Sequence, residues 1–156
     1  MLLAVGRGAF GQQSTPAPAP ASKNPPQSLA MGASKSRMTF FVTSKGLGKD
    51  ADLTNLTRAD ALCQTLARAE GAGDHTFRAY LGAPARKGRP AVDAIDRIGS
   101  GPWYNAEAEL VAADREEVRA GAKRLSRETA LTERGDPVDD LPGLKLAGRF
   151  YCFAID

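Results

Sequence analysis

The chain has 156 residues, 42% of them hydrophobic and 25% charged, which is enough for one domain of ordinary size with a buried core. Its net charge of +3 is unevenly spread: residues 1–37 hold Arg7, Lys23, Lys35 and Arg37 and no acid, which leaves 17 basic against 18 acidic residues over 38–156. A near-neutral domain behind a basic tail argues against a nucleic-acid partner, which needs a basic face on the folded part, and no stretch approaches the roughly 20 apolar residues of a membrane span.

Residues 1–11 read as a truncated signal peptide. Ala9-Phe10-Gly11 before Gln12 has the small-x-small form of a cleavage site, although Arg7 interrupts a short apolar region with no charged region ahead of it. A disordered cytosolic tail is the alternative. Residues 12–37 hold five of the ten prolines (Pro16, Pro18, Pro20, Pro25, Pro26) among Ala, Ser and Gln, and read as a disordered, semi-extended linker that cannot bury enough apolar surface to order itself. The domain therefore spans 38–156.

Met38 to Thr43 is a strand by its β-branched and aromatic content. Lys45 to Asp52 is a loop. Its Asp50 and Asp52 are placed for calcium only in the loosest sense, because no Glu closes a calcium loop, and solvated acids are the simpler reading. Thr57 to Glu70 is the clearest helix. Thr57 and Asp60 match the pattern of a capped start, and Ala59, Leu62, Cys63 and Leu66 share one apolar face. Gly71 and Gly73 stop it.

Thr76 to Leu81 alternates as a strand, with Phe77, Ala79 and Leu81 on one side and Arg78 and Tyr80 on the other. Ala83 to Pro90 is a loop whose Arg86, Lys87 and Arg89 are either solvated or an anion contact. Val92 to Ile98 is a short helix or irregular. Gly99 to Pro102 is a turn. Trp103-Tyr104-Asn105 and Leu110-Val111-Ala112 form a hairpin, with Glu107 and Glu109 at its turn rather than as a catalytic pair. Asp114 to Ser126 has the charge order of a helix, weakened by Gly121. Thr129 to Thr132 is a short strand, Gly135 to Gly148 a loop, and Arg149 to Ile155 the closing strand. His75, the lone histidine, has neither a second imidazole nor a thiolate cluster and makes no metal site or triad.

Cys63 and Cys152 are the only cysteines, one on the early helix and one on the last strand. A single bond tying the ends of the domain together is the reading that goes with export; two free buried thiols are the alternative.

Ala59-Asp60-Ala61-Leu62-Cys63-Gln64, Phe77-Arg78-Ala79-Tyr80-Leu81, the run from Arg97 to Asn105, and Phe150-Tyr151-Cys152-Phe153 together resemble bacterial exported proteins with a C-type lectin-like fold, distantly related to the endostatin type. The resemblance covers roughly Thr39 to Ile155. It implies an α+β fold with small antiparallel sheets, two helices and the chain ends joined in one sheet. It also implies a disulfide between the first helix and the last strand, the positions of Cys63 and Cys152. The chain departs from the family after Leu131-Thr132-Glu133. Relatives carry a long Gly-, Asn-, His- and Trp-rich segment there, which in C-type lectins supplies calcium ligands and sugar contacts; here a short loop leads to the final strand.

Two functions follow as expectations. One is a secreted, periplasmic or cell-surface binding module for a carbohydrate or cell-surface component, with Trp103, Tyr104 and Asn105 as ligand contacts. Core packing is the competing role for the two rings. The other is a structural or protein-interaction domain without sugar affinity, which the shortened segment favours. No nucleophile–base pair, metal cluster or phosphate loop points to an enzyme, and no cofactor is expected.

Overall fold

A computed structural model describes residues 37–48, 54–138 and 148–156. The expected signal peptide and almost all of the linker, Asp50 and Asp52, and most of the Gly135–Gly148 loop lie outside the described residues.

The molecule is α+β. Strand β1 (Phe40–Val42) is followed by helix α1 (Leu56–Ala69), β2 (Phe77–Ala79), a single 3-10 turn (Ala94–Arg97), a hairpin of β3 (Trp103–Tyr104) and β4 (Leu110–Ala112), a short helix α2 (Arg115–Arg119) and β5 (Tyr151–Ala154). One antiparallel sheet has the order β1-β5-β2, and the hairpin forms a second sheet. The first and last strands are neighbours, with Phe41 opposite Cys152, so the two ends of the domain meet in one sheet.

Both faces of the three-stranded sheet are covered, which explains why Phe40-Phe41-Val42 and Cys152-Phe153-Ala154 are apolar without alternation. On one face Phe41, Phe77, Ala79, Cys152 and Ala154 pack with Ala59, Cys63 and Leu66 of α1. On the other, Phe40, Val42 and Phe153 pack with Ile98, Trp103, Val111 and Val118. The sheet is thus the middle of three layers. In β2, Phe77 and Ala79 are buried while Arg78 is exposed, as the alternation requires.

The start of α1 corrects the sequence reading. Its cap is Asn55, whose side chain accepts from the Arg58 N–H at 3.2 Å, not Thr57 paired with Asp60. The end is as expected: Gly71 takes a φ of 81°, the Gly71 N–H reaches the Arg68 carbonyl and the Ala72 N–H reaches that of Ala67, a Schellman closure. Helix α2 is shorter than the charge order implies. Asp114 caps it through the Glu117 N–H at 2.8 Å, but Gly121 and Ala122 both have positive φ and end it within two turns. The expected strand at Thr129–Thr132 is reduced to isolated bridges, Val42 with Thr132 and Leu131 with Pro137.

Candidate functional site

The segments that carry the family resemblance turn out to hold the fold together. Asp60 and Gln64 lie four apart on α1. The Asp60 carboxylate accepts from the Ala79 N–H at 2.9 Å, and the Gln64 amide accepts from the Phe77 N–H at 2.9 Å while donating to the His75 carbonyl at 2.9 Å. The other Asp60 oxygen meets Arg97 Nη2 at 2.6 Å, and Arg97 Nη1 also donates to the Ala79 and Leu81 carbonyls. Residue types alone did not reveal this clasp. The available signal was two polar residues four apart beside the apolar stripe of a helix.

The run from Arg97 to Asn105 is equally structural. Ile98 is buried. A Cβ on Gly99 would lie 2.8 Å from the Ala154 carbonyl oxygen, and one on Gly101 would lie 2.6 Å from that of Ala113. Both positions therefore demand glycine for close backbone approach. Trp103 is only 1% exposed; its Nε1–H donates to the Ala154 carbonyl at 2.9 Å and its ring meets Phe153 edge-on at 5.1 Å. Asn105 is fully buried. Its oxygen accepts from the Glu107 and Glu109 N–H groups, and its nitrogen donates to the Thr129 carbonyl. Of the three expected ligand contacts, then, two are interior. Tyr104 is half-buried and is the one that reaches the surface.

Cys63 and Cys152 are joined in a disulfide, with Cα atoms 5.7 Å apart, and both are fully buried between α1 and the sheet. Glu133, the last residue of the Leu131-Thr132-Glu133 stretch, is 1% exposed. It accepts from the Ser44 N–H at 2.9 Å and from the Ser44 hydroxyl, anchoring the segment after β1.

Tyr104 lines a groove of about 420 Å³ with Arg37, Thr39, His75, Pro102 and Ala108. The Tyr104 backbone is fixed to Thr39, whose N–H donates to the Tyr104 carbonyl and whose hydroxyl accepts from the Tyr104 N–H. His75 Nδ1 lies 3.5 Å from the Asp156 carboxylate. An aromatic ring and a proline, flanked by an imidazole and a guanidinium, present apolar and hydrogen-bonding surface side by side, the mixture that small polar ligands use. Glu107 and Glu109 sit at the hairpin turn, exposed, on either side of Ala108. Among the described residues no three His, Cys, Asp or Glu come together as a metal site, and no helix is long and apolar enough to cross a membrane.

Compared with protein-family models, with curated proteins and with solved structures, the chain matches none.

Proposed function

We propose that this is an exported binding module with a C-type lectin-like fold, whose ligand is a carbohydrate or a cell-surface component. The observation that carries the reading is the disulfide from α1 to β5 in a sheet where β5 also pairs with β1. Covalent joining of the first helix to the last strand, with the domain's ends side by side, is the arrangement that the resemblance implies. A disulfide-bonded pair also belongs with an oxidising compartment. The ligand contact is Tyr104 and the groove around it, and the role is binding rather than catalysis.

The burial of Trp103 and Asn105 favours a second reading, a protein-interaction domain without sugar affinity. Only one aromatic of the expected trio is left to stack on a sugar, and the segment that supplies calcium and sugar contacts in the lectins is short here. The full oxidised chain on a glycan array, with calcium and with chelator, tests the first reading. Binding to a defined glycan that Tyr104→Ala abolishes supports it. No binding to any glycan, together with a protein captured from the native cell surface that neither sugar nor chelator displaces, replaces it with the second.

A further inference from the structure

The stretch Ala83–Val92 is a hairpin folded against the start of α1. Ala83 pairs with Val92, and Arg86 pairs with Arg89 through two mutual backbone hydrogen bonds of 3.0 and 2.8 Å. Lys87 and Gly88 form the turn, with Gly88 at a φ of 77°. Residues directly opposite in an antiparallel pair project to the same side of the ribbon, and like charges placed so repel. Arg86 and Arg89 are such a pair. Among the described residues neither has a carboxylate within ion-pair distance, and the first turn of α1 carries Arg58 and no acid.

Between this hairpin and Thr54–Thr57 lies a cavity of about 510 Å³, lined by both arginines with Asn55, Pro84 and Pro90. Arg86 is already positioned there, its Nη2 donating to the Thr54 hydroxyl at 2.7 Å. The grip does not depend on the helix start, where the Arg58 N–H is taken by the Asn55 side chain.

We propose that this cavity binds a phosphate or sulfate ester of a small polyol, with the oxyanion held between Arg86 and Arg89. Two guanidinium forks need more acceptor lone pairs than one carboxylate edge offers, and a tetrahedral oxyanion presents three oxygens. The volume is that of a small-molecule site, far more than a bare anion fills, and the Thr57 hydroxyl and the Asn55 amide nitrogen are suited to ligand hydroxyls. The site shares no lining residue with the Tyr104 groove, so it stands or falls separately from the proposed function.

The test is an NMR titration of the full oxidised chain at constant ionic strength, set by chloride. Inorganic phosphate, inorganic sulfate, a hexose phosphate and the unmodified hexose serve as probes. Phosphate or sulfate is expected to shift the amides of 83–92 and the Nε–H signals of Arg86 and Arg89, and the stronger of the two identifies the ester. The hexose phosphate binds about tenfold tighter than the bare anion, the hexose alone does not bind, and Arg86→Gln with Arg89→Gln weakens binding about tenfold or more. Both side chains are exposed, so the near-UV spectrum of the variant is unchanged. Equal shifts with chloride, undiminished binding by the double variant, a hexose phosphate no tighter than inorganic phosphate, or no shift with any oxyanion each overturn the proposal.

Discussion

The Asn105 carboxamide serves two N–H groups and one carbonyl, so its removal strands the Glu107 and Glu109 N–H groups at the β3–β4 turn and leaves the Thr129 carbonyl with the Leu131 N–H alone. Asn105→Ala is expected to cost about 2–4 kcal/mol in urea unfolding. Trp103→Phe keeps most of the packing but leaves the Ala154 carbonyl without its indole donor, and should cost about 1–3 kcal/mol by the same measurement. Tyr104→Ala, at the surface, should change stability far less than either. These side chains were visible in the sequence as a cluster of aromatic and amide groups, but not their placement. A ring that stacks on a ligand and a ring that pins two sheets are the same residue type, and only the neighbour across the fold, here Phe153, separates them. Tyr151 adds a pH dependence. Burial raises its phenol above the ordinary 10.0. Above about pH 10 the unfolded chain releases this proton while the folded chain keeps it, so the contribution is intact below that pH and stability falls as pH rises toward the folded value. Melting temperatures measured from about pH 9 to 11 should show this alkaline loss, flattened in Tyr151→Phe.

At the level of elements, α1 and β2 are matched by spacing. Four helical residues advance about 6 Å and two strand residues about 6.6 Å, so Asp60 and Gln64 meet the Ala79 and Phe77 N–H groups in turn. These are the outward N–H groups of an edge strand, since β2 pairs only with β5 in its sheet. The helix closes with its side chains an edge that would otherwise be open to another strand. Asp60→Ala removes a partner from that edge and leaves the Arg97 guanidinium, 7% exposed, without its carboxylate. A loss of about 3–5 kcal/mol is expected, against about 1–3 kcal/mol for Gln64→Ala. Asp60→Ala combined with Arg97→Met should cost less than the sum of the two single changes, which a double-mutant cycle in urea checks. The helix, β2, the hairpin and the closing strand were legible because each has strong periodicity or β-branched and aromatic content. The edge clasp was not: a carboxylate three residues after Thr57 fits a capping pattern equally well, and the true cap, Asn55, sits two residues before Thr57. Helix α2 was overextended for a related reason, because charge order favours a helix while Gly121 and Ala122 leave helical dihedrals altogether.

For the whole molecule, the disulfide closes a sequence separation of 89 residues. Chain-entropy reasoning gives such a crosslink about 4–5 kcal/mol as an upper figure. Urea unfolding with and without reductant should show a loss of up to that size, and protein recovered from its native host should titrate no free thiol. Two titratable thiols in that material would remove both the crosslink and the case for export. Position in sequence also governs when the fold can close. The middle strand of the sheet is β5, and neither β1 nor β2 hydrogen-bonds with the other. Beside it, the Phe150 N–H reaches the Thr43 hydroxyl across 107 residues. Contacts so distant along the chain make for slow folding. During synthesis, β1 and α1 emerge long before the strand they are built around, and Cys63 has no sulfur to bond until Cys152 is made. A nascent chain that ends between Ala79 and Tyr151 therefore holds both outer strands without the one that joins them, and a Cys63 thiol with no partner.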